Sequence, residues 1–298
     1  ARIWAQARWG SHAFERLNPP GEKQSWQCGV ANTFSNELGN YSLDGVARVD
    51  EIFTHAQQQG VYILWTLALH EDLKFDADFA TNPYAKLVAG CAPASNCQGY
   101  WTQPTALEMI RRNLRYTYAR WGAFSSLAIL ELYNEADQGF LFSEQGTPGH
   151  VAWHAALAGA WKKELQDVYG HPLTTSFAWT DHWTGNNAPP TPSWGETFKT
   201  WTQLPELDLA QQHLYTEDAD VDERMITETV KTLPLGAGTR GKRPFFFGEI
   251  GVLAPHWDPA DPEGRFYTDV AWVPFFFAEA MGAGFRWWLE NFKSYGGA

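Results

Sequence analysis

Apolar positions along the chain fall into two alternating patterns. Short, nearly continuous apolar runs occur at ARIWA (1–5), VYILWTLAL (61–69), LAILELYN (127–134), PLTTSFAW (172–179), LDLAQQHLY (207–215), PFFFGEIG (244–251) and GFRWWLE (284–290). Runs of this length and continuity read as strands covered on both faces, the kind found in parallel sheets. Between them the apolar spacing changes to three and four. Val46, Val49, Ile52, Phe53 and Ala56 lie on one helical face, opened by Ser42 and stopped by Gly60. Thr105-Ala106-Leu107-Glu108 has the form of a capping box, which predicts a helix carrying Leu107, Ile110, Leu114 and Trp121 on one face and ending at Gly122. Further helical patterns cover 150–169, 196–204 and the stretch from Asp220 to Leu233, and a last one ends near Gly282. Pro274 marks a kink or a start in that last pattern.

Seven strands alternating with six helices specify an α/β fold. The loops after strands are long (6–41, 70–104, 251–266) and those after helices are short. That asymmetry predicts a (β/α)8 TIM barrel, whose C-terminal face carries the working loops; a doubly wound open sheet is the alternative. No repeat, low-complexity tract or linker divides the chain, so a single domain over 1–298 is expected.

Composition narrows the function classes. A net charge of −12 over 298 residues disfavours nucleic acid, whose phosphates such a surface repels. No apolar run approaches the roughly 20 residues of a membrane span. Cys91 and Cys97 bracket the loop CAPASNC and could close a small disulfide, leaving Cys28 over; three reduced thiols are the alternative. The first residue is Ala1 rather than Met, as in a processed or trimmed chain. A secreted or periplasmic location is expected. The unusual feature is 16 Trp, 11 Tyr and 19 Phe. Trp9, Trp26, Trp101, Trp183, Trp194 and Trp257 lie in polar stretches, where aromatic faces suit flat ligands such as sugar rings or fold back as lids.

Two motifs invite chemistry that their context denies. Gly236, Gly238 and Gly241 have G-x-G-x-x-G spacing, but they follow a predicted helix and precede a strand, the reverse of a phosphate-binding loop. His150 and His154 lie four apart on a predicted helix without an intervening Glu or an evident third ligand, so no metal site is assigned. No cofactor is implied.

The carboxylates at strand ends carry more weight. Glu135 ends one apolar strand and Glu249 another, each just before a loop, where barrel enzymes place their chemistry. Two carboxylates facing one another across a pocket are the machinery of glycoside hydrolysis; alternatively, each pairs with a base and ties the fold together. Glu131 lies about 13 Å down the strand from Glu135, too deep for the same bond. It is expected to be an interior carboxylate bonded to other polar groups. Asp137 falls in the following loop, with a cap or turn role.

LELYNEAD resembles the fourth-strand signature of the clan A glycoside hydrolases, most closely family 5, in which W-E-L-x-N-E-P is common in the β-mannanase-like branch. QQHLY (211–215) resembles that family's sixth-strand H-x-Y. FFFGEIG resembles its seventh strand, ending in the nucleophile, and WWLE (287–290) its eighth. ARIW and LALH resemble its second and third. The resemblance implies a retaining β-glycosidase acting on mannan, glucan or a related carbohydrate, with Glu135 as acid/base and Glu249 as nucleophile. It further implies that Asn134 bonds the sugar 2-hydroxyl and that Arg2 and Tyr215 hold Glu249. His70 and His213 would line the pocket, and Trp288 would floor the cleavage subsite, with Trp287 as the alternative. Ala136 and Leu130 replace the family's Pro and Trp. A carbohydrate-binding barrel without catalysis and a retaining transglycosylase are the competing functions. On the family's numbering the chain starts in strand 2 and ends after strand 8, so strand 1 and the final helix are expected from elsewhere in a longer protein.

Overall fold

The structure, a computed structural model, describes residues 1–5, 39, 41–70, 99–136, 146–166, 168, 170–176, 204–216, 243–252 and 272. The chain divides into two compact units, Ala1–Thr175 with Leu204–Leu207 and Ser176–Gln203 with Asp208–Ala298.

In the first unit, strands β1 (Arg2–Trp4), β2 (Ile63–Leu69), β3 (Leu127–Asn134) and β4 (Leu173–Thr174) form a parallel sheet in sequence order. Helices α1 (Leu43–Gln58), α2 (Gly99–Thr102), α3 (Pro104–Trp121) and α4 (Gly146–Trp161) supply the crossovers. Parallel strands require such long connections, which is why helical and strand periods alternate in the sequence. Ser42 caps α1, its hydroxyl accepting from the Gly45 N–H at 3.3 Å. Gly60 takes up a positive φ of 67° just past the helix end.

Val46, Val49 and Phe53 of α1 are buried, as are Ile110, Leu114, Tyr118 and Trp121 of α3. Phe53, Trp65 of β2 and Trp121 pack at ring distances of 5.5, 5.8 and 6.0 Å. Asp50 ties the two helices by accepting from Arg120 Nε at 2.9 Å and from the Trp121 indole at 2.8 Å. The Asp50–Arg120 pair is partly exposed to solvent, with side chains 34% and 41% accessible.

Three boundaries differ from the sequence expectation. Helix α3 starts at Pro104 with Gln103 as its N-cap and no side-chain cap bond. Proline at the first helical position is pre-set for helical φ and lacks only an N–H that would be orphaned there. Thr105 is therefore inside the helix, and Glu108 points to Arg112 at 3.3 Å instead of closing a capping box. Helix α4 begins four residues earlier than 150 and runs into a π-helical turn, Lys162–Gln166. There Glu164 accepts from Arg111 at 2.7 Å and from Arg115. Of the strand expected over 172–179, residues 172–176 are described, and among them Leu173–Thr174 pair.

In the second unit, β5 (Ala210–Thr216) and β6 (Phe245–Val252) pair in parallel. Among the described residues, no helix is long and apolar enough to cross a membrane. The glycine-rich segment before Arg243, the helix from Asp220, the strand 284–290, the three cysteines and Asp137 lie outside the described residues.

Candidate active site

Strand β3 carries the first cluster, which the sheet register assembles. Trp4, Thr66, Glu131 and Thr174 are successive partners across β1–β4, so Thr66 stands beside Glu131. Glu131 is fully buried and accepts from Arg2 Nε at 2.8 Å, Arg2 Nη2 at 2.8 Å and Thr66 Oγ1 at 2.6 Å. A buried carboxylate costs several kcal/mol unless it is paired and bonded in this way. Glu131 is the interior support expected from its depth along the strand. Arg2 was expected to reach Glu249; the bonds described for it run to Glu131 and, through Nη2, to Asn134 Oδ1.

Asn134, fully buried, places its amide Nδ2 3.1 Å from His70 Nδ1. The same ring nitrogen lies 3.3 Å from Glu135 Oε2. Glu135 is 6% exposed and, alone among the described non-glycine residues, has a positive φ, 50°. Such a conformation costs about 1–3 kcal/mol and persists where surrounding structure imposes it, often at working sites. Ala136, at the next position, is also buried.

The second unit builds a parallel arrangement around Glu249. His213 pairs with Glu249 across β5 and β6 after a register shift at Gln212/His213. That shift leaves Gly248 as the extra residue, because Gln212 pairs with Phe247. A bulge of this kind re-aims the next side chain. Gly248 is required by packing rather than by φ: an added Cβ would sit 1.9 Å from Gln211 Nε2 and 3.0 Å from His213 Nε2. His213, fully buried, holds Nδ1 3.6 Å from Glu249 Oε2, with Gln211 Nε2 3.4 Å from its Nε2.

Gln211, Gly248 and Thr66 escaped the sequence reading. Only Gly248 left a signal, since glycine inside a strand marks a bulge or a close approach. The side-chain position of Tyr215 and all of Trp288 lie outside the described residues, as do Trp9, Trp26, Trp183, Trp194 and Trp257. Trp101 is buried, packed 4.9 Å from Tyr133 and 5.1 Å from Trp153. His154, weighed as a metal ligand, is buried with Nε2 3.0 Å from Thr175 Oγ1.

No family model and no curated protein matches the chain. Among solved structures, it is similar to the endo-β-1,4-mannanase of Thermotoga petrophila, at 15% identity and a TM-score of 0.53, covering 85% of this chain and 54% of that one. The chain thus spans about half the length of that mannanase. The endo-1,4-β-mannanase of Rhizomucor miehei matches at 13% identity and a TM-score of 0.51, over 84% of this chain and 76% of that one. The β-glucosidase of Pyrococcus furiosus matches at 12% identity and a TM-score of 0.51, over 88% and 65%. At these identities the likeness is one of fold: the chain shares the parallel α/β architecture of glycoside hydrolases.

Proposed function

We propose that this chain is the catalytic (β/α)8 domain of a retaining β-glycosidase acting on mannan, glucan or a related carbohydrate. One observation supports this most: in a fold shared with mannanases and a β-glucosidase, two buried glutamates lie on parallel strands and each faces a histidine Nδ1. Glu135 lies just past the end of β3, and Glu249 lies within β6, which runs on to Val252 rather than ending at Glu249 as expected.

In the proposed reaction, ionised Glu249 attacks the anomeric carbon as the bond to the leaving oxygen breaks. Glu135 gives its proton to that oxygen. Water then attacks the glycosyl-enzyme ester, Glu135 takes its proton, and the bond to Glu249 breaks with net retention. This double displacement needs the two carboxyls about 5–5.5 Å apart. Asn134 bonds the 2-hydroxyl, while His70 and His213 hold the acids. Tyr215 supports the nucleophile side, and Trp288 stacks beneath the sugar at the cleaved bond. No cofactor enters.

The test is a panel of aryl β-mannosides, β-glucosides and β-xylosides with the matching polysaccharides. Turnover of at least one, lost in Glu249→Ala, supports the reading. Binding of polysaccharide without turnover of any member refutes it and leaves a carbohydrate-binding barrel.

A further inference from the structure

The first unit contains more order around Glu135 than proton donation by a lone carboxyl requires. Arginine has only donors, so Arg2 Nη2 must face the oxygen of the Asn134 amide, and it does. This fixes the amide, which is otherwise free to be turned over, and aims Nδ2 at His70 Nδ1, 3.1 Å away. An amide NH2 donates. His70 Nδ1 therefore presents its lone pair, and the neutral ring carries its proton on Nε2. Glu135 Oε2 lies 3.3 Å from that same Nδ1. An ionised carboxylate there would set lone pair against lone pair, whereas a protonated one can donate, sharing that single lone pair with the Asn134 amide in a three-centre bond.

We propose that Arg2, Asn134 and His70 form a relay that presets Glu135 as the proton-bearing partner, with buried Glu131 fixing Arg2 at its root. The proposal rests on the reading of Glu135 as the acid. It gives Arg2 and His70 the role of positioning residues, and it gives the positive φ of Glu135 a consequence: the strained turn brings the carboxyl back onto His70. The His70 tautomer would thus mark Glu135 as the acid of the pair, a division that otherwise depends on unlike surroundings.

The experiment is 15N NMR of 15N-histidine-labelled protein near neutral pH, with His70 assigned by its loss in His70→Gln. A bare Nδ1 with a protonated Nε2 is expected; a protonated Nδ1 overturns the relay. Asn134→Asp replaces the donor by an acceptor of the same shape, so Nδ1 gains a proton, and an unchanged tautomer also overturns it. The infrared carbonyl band of a protonated carboxyl, absent in Glu135→Gln, is expected in the wild-type protein and reduced in Asn134→Asp. In that variant, hydrolysis of alkyl glycosides falls on the order of tenfold further than that of dinitrophenyl glycosides, which need no acid; equal losses count against the relay. Should Asn134→Asp not fold, the wild-type spectrum decides alone. The spectra need no substrate, so a bare Nδ1 in a protein that cleaves no glycoside sustains the relay and sinks the proposed reaction. A protonated Nδ1 in an active glycosidase does the reverse.

Discussion

Replacing Glu131 by Ala removes a buried carboxylate that Arg2 pairs with inside the sheet. Three bonds go, two from Arg2 at 2.8 Å and one from Thr66 at 2.6 Å. Breaking a buried pair by deleting one partner costs about 3–5 kcal/mol, because the other charge is left uncompensated. Arg2 is 14% exposed in its side chain and so recovers some hydration, which points to the lower end of that range. Thr66, 1% exposed, loses its described acceptor, at about 1–3 kcal/mol for an unsatisfied buried group. The two terms share one cavity and do not simply add, so a total near 4 kcal/mol is expected. Glu131→Gln keeps an oxygen but sets an amide NH2 against a donor, and should cost about half as much. Urea unfolding followed by Trp fluorescence and by far-UV circular dichroism gives the values, provided that both probes share a midpoint. A control separates charge from packing: Arg2→Met with Glu131→Leu removes both partners and should regain most of the loss. A Glu131→Ala variant within 1 kcal/mol of wild type, or a double variant as unstable as the single one, would refute the buried-anchor account.

Other expectations follow from the same geometry. Gly248→Ala forces the buried Gln211 amide out of its place, costing about 1–3 kcal/mol from overpacking and lowering turnover through displaced His213; unaltered kinetics would show that the bulge does not aim Glu249. Glu249→Ala should abolish turnover on every substrate, whereas Glu135→Ala should retain activity on glycosides with good leaving groups, and full activity in both variants would remove them from the chemistry. Asp50 is held below the ordinary carboxylate range chiefly by its hydrogen bond from Arg120, against a desolvation that opposes it, and with help from the Trp121 indole. A carboxyl depressed in the folded state stabilises the protein above its unfolded pKa, and the stabilisation fades as pH falls through the folded one. Below about pH 4, Asp50→Asn should therefore lose stability less steeply than wild type in acid titrations of the urea midpoint.

The strands were the most legible part of the sequence. LAILELYN is β3 to the residue, and Ser42 caps α1 as its position suggests, because both features depend on local pattern alone. The start of α3 was misplaced because Thr105 and Glu108 imitate a capping box, while Pro104 and its fixed φ decide the matter one residue earlier. The run 172–179 is apolar enough for a strand, yet among its described residues, 172–176, pairing with β3 involves Leu173 and Thr174 alone. The sequence singled out Glu135, Glu249, Asn134, His70 and His213, and the structure places Asn134 and His70 beside Glu135 and pairs His213 with Glu249. The rest of their surroundings was not legible. Arg2 meets Glu131 across 129 positions of sequence, and Gln211 meets Gly248 only because of a register shift between strands. Contacts of that kind depend on pairing register, and register is a property of two strands that neither one states by itself.

The most direct test of the central claim is the stereochemistry of the first product. Hydrolysis of a β-glycoside from the active panel is followed by 1H NMR from the first minutes, before mutarotation scrambles the anomers. Double displacement by Glu249 and Glu135 predicts that the β-anomer appears first and the α-anomer only later. The α-anomer appearing first would mean direct attack by water, and Glu249 would not be the nucleophile.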